Sequence, residues 1–295
     1  MKKALLVVNP SSGGEQAQDY RQAALEKLES YFDQVDVKET QKGGDARDFA
    51  RAAAKERFDS VFVMGGDGTV NEGISGLAEQ DYRPKFGFFP LGTVNDLARA
   101  LHLPMDPQEA IDALDFEKTR SLDIGKINDN YFMNVVAIGS IPEAVGDVSV
   151  EDKTKFGKLA YVISGVKQIV QNETYAFELE VDGESISVES TTLLIGLTNS
   201  IGGHESILPE AEVNDGLLHL IYLKDTSLLE SLKALPSLVK GVKESNQNLG
   251  YRTFEKARIS VKDGSHLGTN VDGDEGDALP VDLAVLPAHL TVYSG

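Results

Sequence analysis

The strongest constraint on this chain's fold lies between Val61 and Glu72, where an apolar run, Val61-Phe62-Val63-Met64, passes directly into GGDGTVNE, Gly65 to Glu72. A short run of large apolar residues bounded by glycine reads as a buried parallel strand, and Val70-Asn71-Glu72-Gly73-Ile74 reads as the start of a helix. A strand that hands over to a helix in this way commits the region to an α/β arrangement. Gly65, Gly66 and Gly68 are expected to take φ > 0 and aim N–H groups at one point, with no Cβ to keep a phosphate away. The positive end of the helix dipole would add to the same spot. Asp67 among anion-attracting groups then makes sense if Mg²⁺, or a water on it, lies between its carboxylate and the phosphates. A turn that only packs has no need of Asp67, Thr69, Asn71 and Glu72 together. The chain carries no G-x-x-x-x-G-K-[ST] loop, and the stretch lacks the spacing of a dinucleotide fingerprint.

The same unit recurs on either side. Ala4 to Val8 runs into Asn9-Pro10-Ser11-Ser12-Gly13-Gly14, and Phe86 to Phe89 runs into Pro90-Leu91-Gly92-Thr93-Val94-Asn95-Asp96. Between them, Ala17, Tyr20, Ala24, Leu25, Leu28, Tyr31 and Phe32 share one helical face, and Val35 and Val37 alternate with charges as in a strand. A polar turn covers Thr40 to Gly44, and a second helix carries Ala46, Phe49, Ala50, Ala53 and Ala54 on one side. Alternating strands and helices imply a mostly parallel sheet with helices on both faces, whose ligands collect beyond the carboxyl ends of the strands. The three turns would meet at that edge.

From about Leu122 the texture becomes β-rich, with expected strands at Asn130 to Ile138, Thr174 to Val181, Ser185 to Leu197, Leu217 to Leu223 and Ala257 to Val261. This predicts an α/β class chain: a parallel-sheet α/β nucleotide-binding domain over 1–124, joined by the C-terminal strand 286–295, followed by a β-sandwich domain over 125–285. Two helices interrupt the strands. One spans Phe156 to Val170 with Lys153, Lys155, Lys158 and Lys167 in or beside it; the other opens with a capping box, Ser227 to Glu230, and is kinked by Pro236. Their apolar faces suit packing on the sandwich, and the lysines suit either solvent or an anionic bilayer.

Two polar clusters stand apart. Asn214-Asp215-Gly216-Leu217 reads as an Asx turn before a strand. The stretch from Asn270 to Asp277 holds four carboxylates, Asp272, Asp274, Glu275 and Asp277, but lacks the glycine and closing glutamate of a calcium loop, which leaves an acidic turn or a catalytic or metal-linked carboxylate.

Composition narrows the function. The chain has 295 residues, long enough for two domains, and contains no cysteine, which excludes thiol chemistry and disulfides. Its five histidines show no metal-ligand spacing. No run is long and apolar enough to span a membrane and no signal peptide opens the chain, so a cytoplasmic protein is expected. A formal charge of −19 argues against nucleic acid as a partner.

Taken together, GGDGTVNE, FPLGTVNDLAR (Phe89 to Arg99) and VDGDEG (Val271 to Gly276) resemble the diacylglycerol kinase family, in particular its soluble bacterial lipid kinases. NPSSG (Asn9 to Gly13), LTNS (Leu197 to Ser200) and NDG (Asn214 to Gly216) match as well, so the likeness spans nearly the whole chain. GGDGT alone is shared with NAD kinases and phosphofructokinases; PLGTVNDLAR in this order points to lipid kinases. The resemblance implies ATP held between the domains by Asn9, Pro10, Ser11, Ser12, Gly13, Thr40, Gly66, Asp67, Gly68, Thr69, Val70, Asn71, Glu72 and Thr93. It implies a structural Mg²⁺ at Asp215, with the backbones of Glu212 and Leu217. It also implies a base in the VDGDEG segment, where the family's usual glutamate is replaced by Asp274, so that Asp274 is the base by position and Asp272 or Glu275 by reach. Asp67, Asp272 and Asp274 are thus the expected catalytic carboxylates. The expected activity is Mg²⁺-dependent transfer from ATP to diacylglycerol, giving phosphatidic acid, by a cytoplasmic enzyme that touches a membrane transiently and forms, on this reading, a homodimer. A kinase of a different lipid or of a soluble, NAD-kinase-like acceptor, and a nucleotide-binding regulator without turnover, are the rival readings.

Overall fold

The computed structural model describes residues 1–14, 17–139, 174–205, 207–224 and 241–294. The expected helix at Phe156 to Val170, with its lysines, lies outside the described residues, and so does almost all of the helix expected from Ser227.

The first part alternates as its sequence pattern requires: β1 (Lys3–Val8), α1 (Ala17–Glu29), β2 (Gln34–Glu39), α2 (Asp45–Lys55), β3 (Ser60–Gly65), α3 (Asp67–Leu77), β4 (Lys85–Pro90), α4 (Asp96–Ala100) and α5 (Pro107–Ala113). Strands β2, β1, β3 and β4 lie side by side and parallel. Period-two alternation divides their side chains between two cores. Leu5, Val7, Val61 and Val63 pack with Ala50 of α2 and Ile74 of α3, whereas Ala4, Leu6, Val8, Phe62 and Met64 pack with Leu28 of α1 and Ile111 of α5. Both faces are covered, which is why β3 is buried along its whole length and apolar from Val61 to Met64.

The second part consists of β5 (Thr119–Ile127), β6 (Asn130–Phe132), β7 (Val135–Gly139), β8 (Tyr175–Val181), β9 (Glu184–Ser190), β10 (Thr192–Gly196), β11 (Leu218–Leu223), β12 (Leu249–Phe254), β13 (Lys256–Val261), β14 (Gly268–Val271), β15 (Asp274–Ala278) and β16 (Val281–Tyr293). The parallel sheet continues through β16, β13, β8 and β9, with β5 and β6 on its flank, and a second sheet runs β12-β11-β10-β7-β14-β15. The two sheets enclose one core: Phe177, Leu179, Ile259 and Leu283 face Val136, Ile138, Leu193, Ile195 and Leu220. The result is an α/β layer continued into a β-sandwich.

Two strand expectations need correction. Asn130 to Ile138 splits into β6 and β7, and Ser185 to Leu197 into β9 and β10, each pair divided between the two sheets. The hydrophobic pattern runs straight through these corners because both legs of each corner face the same core, so periodicity does not mark the change of sheet.

Strand β16 binds the halves together. It pairs parallel with β4 at Val292 and antiparallel with β5 and β13. Its Tyr293 stacks on Phe62, with ring centroids 5.1 Å apart, and its hydroxyl meets Ser60 Oγ at 2.7 Å. The ladder with β5 is irregular between Leu286 and Leu290, where Ala288 has φ 46°. The buried Asp123 secures this break by accepting the N–H of Ala288 at 2.6 Å and that of Gly216 at 2.6 Å. Burial pushes the Asp123 carboxyl up, against the pull of those two donors.

Candidate active site

The turns after β1, β3 and β4 converge through hydrogen bonds. Asn9 Nδ2 donates to Thr69 Oγ1 at 2.9 Å, while Asn9 Oδ1 accepts from Ser11 N at 3.2 Å and Ser11 Oγ at 2.8 Å. Gly66 N donates to Ser12 Oγ at 3.3 Å, and Thr40 N to the carbonyl of Val8 at 2.9 Å. Glu72 reaches across to α2, where its carboxylate accepts from Gly44 N at 2.8 Å and Ala46 N at 3.2 Å and so caps that helix. Around these groups lies a cavity of about 380 Å³ lined by Asn9, Pro10, Ser11, Thr40, Gln41, Lys42, Gly43, Thr69 and Glu72. Of the expected nucleotide residues, Asn9, Pro10, Ser11, Thr40, Thr69 and Glu72 are brought together there. Val70 is instead buried in the core behind it, Gly13 and Thr93 are exposed on the surrounding loops, and Gly68 is exposed in the first turn of α3.

The glycines act by close approach rather than by left-handed backbone. Gly65, Gly66 and Gly68 do not have the positive φ expected of them; Gly66 is extended, at φ −83° and ψ −179°. A Cβ at Gly65 would meet Thr69 Cβ at 2.7 Å, and one at Gly92 would meet Asn95 Oδ1 at 2.6 Å, Asp67 Oδ2 at 3.0 Å and Gly66 Cα at 3.1 Å. The turns after β3 and β4 are in direct contact. At Gly68 the Cβ direction opens on free space.

Asp67 fastens that contact. Its Oδ2 accepts Asn95 N at 2.9 Å and its Oδ1 accepts Asp96 N at 3.0 Å, so it caps α4 from a different turn. Asp96, which the sequence reading did not single out, is buried and reaches into the sandwich: it accepts Ser200 Oγ at 2.6 Å, Gly202 N at 2.9 Å and Gly203 N at 2.8 Å. A carboxylate inside PLGTVND and a serine inside LTNS, both set among glycines and small polar residues, were the available signal for this link.

The VDGDEG segment is a hairpin. Val271 pairs with Asp274 across a two-residue loop in which Asp272 has φ 50° and Gly273 φ 98°, the geometry an Asp-Gly turn favours. Asp272, expected to assist the base, has another task. Its Oδ2 accepts Met133 N at 2.7 Å, and its Oδ1 accepts Asn134 N at 2.9 Å and Val135 N at 2.8 Å, pinning the corner between β6 and β7. The residue keeps some surface, but its carboxyl group is enclosed, and burial pushes it up to about 6 against these three donors, with the charge of Asp96 adding to the rise. Asp274 and Glu275 are exposed and line a second cavity of about 440 Å³ with Asn71, Ile127, Asn130, Val271, Gly276 and Asp277. Helix α3 therefore contributes Thr69 and Glu72 to the first cavity and Asn71 to the second.

The structural Mg²⁺ implied for Glu212, Asp215 and Leu217 would fall on the NDG turn, where Asp215 Oδ1 makes a single hydrogen bond and Oδ2 is shared by two partners. Asp215 Oδ2 accepts Glu212 N at 3.1 Å and meets His219 Nε2 at 3.0 Å, while Oδ1 accepts Leu217 N at 2.9 Å. Burial alone would raise this carboxyl, but the His219 ring and the two backbone donors outweigh it and hold Asp215 below the usual carboxylate range. Because a carboxylate only accepts, Nε2 carries the proton given to Asp215, and Nδ1 lies 2.7 Å from the Tyr251 hydroxyl. Among the described residues no three Asp, Glu or His side chains gather as metal ligands. Asp67 keeps a spare lone pair on each oxygen, which fits a Mg²⁺ carried chiefly by nucleotide phosphates.

Comparison with known proteins agrees with this layout. The description of the diacylglycerol kinase catalytic domain matches residues 3–127, and that of the YegS C-terminal NAD kinase beta sandwich-like domain matches residues 135–294. A Streptococcus pneumoniae protein whose name goes no further than lipid kinase is 41% identical over 294 residues, covering 100% of this chain and 98% of its own. A diacylglycerol kinase of Bacillus subtilis is 35% identical, over 99% of this chain and 96% of its own. A crystal structure from Bacillus anthracis str. Sterne superposes with a TM-score of 0.85 at 26% identity, covering 100% of this chain and 95% of that one.

Proposed function

This chain belongs to the diacylglycerol kinase family and is a lipid kinase that uses ATP, and from that premise we propose that its acceptor is diacylglycerol and its product phosphatidic acid. The observation that carries the proposal is the position of α3 between the two cavities, with Thr69 and Glu72 on one and Asn71 on the other. A phosphoryl donor in the first cavity and an alcohol in the second would meet over the amino end of that helix. The second cavity is polar, which suits the glycerol end of a lipid whose chains stay in the membrane. Among the described residues no helix is long and apolar enough to cross a membrane, so on this reading the lipid is met by transient contact at the bilayer surface.

Phosphoryl transfer asks mainly for positioning and charge neutralisation. In the proposed mechanism the loop from Asn9 to Ser12 and the amino end of α3 hold the phosphates of ATP, and a Mg²⁺ bound with the nucleotide would supply positive charge against them. Asp67 acts by holding the turns after β3 and β4 in contact, and it has lone pairs left for that cation or a water on it. Asp274 takes the proton of the lipid hydroxyl as the oxygen attacks the γ-phosphorus, and ADP leaves. Glu275 lies beside it in the same cavity, and Asp272 keeps the hairpin in place.

The test is transfer of label from [γ-³²P]ATP to a panel of detergent-dispersed diacylglycerol, ceramide, sphingosine and free NAD, with the product identified. Labelled phosphatidic acid as the main product is expected; efficient labelling of another acceptor and none of diacylglycerol overturns the assignment of the acceptor.

A further inference from the structure

The turn between β2 and α2 lines the first cavity with Thr40, Gln41, Lys42 and Gly43, beside Asn9, Ser11, Thr69 and Glu72. Among the residues lining either cavity Lys42 is the only cation, whereas Glu72 in the first and Asp274, Glu275 and Asp277 in the second are acidic. The whole chain carries a formal charge of −19, so a polyanionic donor is repelled at long range and needs positive charge met locally. In a Walker loop that charge comes from the lysine of the motif itself. GGDGTVNE has no cation and brings Asp67 and Glu72 instead. Lys42 is fixed at its backbone and left free at its tip. Asp45 Oδ2 accepts Gln41 N at 2.8 Å and Lys42 N at 3.0 Å, and Asp45 N donates to the Lys42 carbonyl at 3.3 Å. Glu72 ties the same turn to α3 by accepting Gly44 N at 2.8 Å. The Gln41 N–H above all, and then the N–H and the charge of Lys42, hold the Asp45 carboxyl below the usual carboxylate range. The Lys42 ammonium is exposed and, among the described residues, donates no hydrogen bond and joins no ion pair.

Resting on the placement of the phosphoryl donor in this cavity, we infer that Lys42 is a donor-binding residue whose ammonium pairs with phosphate oxygens of the nucleotide. An ammonium on a flexible stem is a compact charge, suited to a polyphosphate whose oxygens it can meet from more than one direction. The turn after β2 thereby supplies the positive charge that the turns after β1 and β3 lack. Recognition by Lys42 falls on the phosphates rather than on the base. The same charge offsets Glu72, both of whose oxygens are already committed to the amino end of α2.

The experiment titrates the full-length protein, with Mg²⁺ present, with ATP, ADP and adenosine in a calorimeter. Lys42→Gln removes the charge and is expected to weaken ATP and ADP by about ten- to a hundredfold, the size of a hydrogen bond to a charged group. Adenosine, which has no phosphate, should bind both proteins alike, and the loss of ADP affinity on raising NaCl should be shallower in the variant. Lys42→Arg should keep most of the affinity, and the melting temperature without ligand should not move. Unchanged ATP and ADP affinity in Lys42→Gln overturns the inference. So does an equal loss for adenosine, which would mean that the side chain serves the base, the ribose or the fold. Ser11→Phe, which fills the cavity, tests the reading underneath and is expected to abolish ATP binding. If it binds ATP as the wild type does, the donor lies elsewhere, and the cavity assignment falls first and takes this inference with it.

Discussion

Asp272 gives the most quantitative prediction, because burial and hydrogen bonding oppose each other there. Its carboxyl lies at about 6 in the folded chain, against about 4 for an unfolded aspartate. Between these values the folded state binds more protons than the unfolded state, so stability falls as pH rises through the window. The contribution is fully present below about pH 4 and lost above about pH 6, and two pH units correspond to roughly 3 kcal/mol. Asp272→Asn removes the titration. The amide oxygen can still accept from Asn134 and Val135, but the NH₂ group would face the Met133 N–H, at a cost of about 1–3 kcal/mol that does not depend on pH. Urea unfolding of both proteins from pH 4 to pH 8 isolates the effect, since every other group cancels in the difference. The mutant should be the less stable protein at pH 4 and should gain about 3 kcal/mol relative to wild type by pH 8, with the change centred between pH 4 and 6. A difference that stays flat across this range would refute the claim that burial dominates the three N–H donors.

Other expectations concern the turns and the proposed base. Asp67→Asn can satisfy only one of the two N–H groups of Asn95 and Asp96, so kcat should fall at least about a hundredfold in a folded protein, measured by steady-state labelled-ATP transfer. Asp274→Asn should cost about a hundredfold or more in kcat while Glu275→Gln stays within about fivefold; the reverse order would move the base to Glu275. Gly92→Ala places a methyl group 2.6 Å from Asn95 Oδ1, so calorimetry should show a lower melting temperature, together with a raised KM for ATP as the two turns separate. Mg²⁺ should raise the wild-type melting temperature even without ATP if the NDG turn holds it, and Asp215→Ala, which also strips His219 and two backbone N–H groups of their acceptor, should abolish that gain. An unchanged Mg²⁺ response in the variant would leave only the turn reading.

The parallel half of the fold was legible because its strands announce themselves: β3 is apolar from Val61 to Met64, and each strand that reaches the site ends in a turn that needs small residues. The reason given for those residues was wrong in one respect, since Gly66 and Gly92 are selected by their mutual contact, and contact partners are not written in local sequence. The same limit hid Asp96, whose ligands Ser200, Gly202 and Gly203 lie about a hundred residues away along the chain. At VDGDEG, acidity drew attention away from a plain hairpin signal, Asp-Gly between β-forming residues, and three neighbouring carboxylates looked interchangeable. Sequence could not rank Asp272 against Asp274, because what separates them is the backbone of Met133, Asn134 and Val135 closing around one and open space before the other.

Strand β16 also sets an order of events during synthesis. The parallel sheet that holds the glycine turns is complete in sequence by Pro90, yet β4 keeps an unpaired edge, and Phe62 lacks its stacking partner Tyr293, until the segment Val281–Tyr293 has left the ribosome. An open edge of this kind is a template for pairing with another chain. The nascent protein thus passes through a long interval in which its nucleotide half is folded enough to present a sheet and not yet able to close it. Aggregation on overexpression, and rescue by holdase chaperones, should therefore track the translation time between β4 and β16 rather than the stability of the finished molecule.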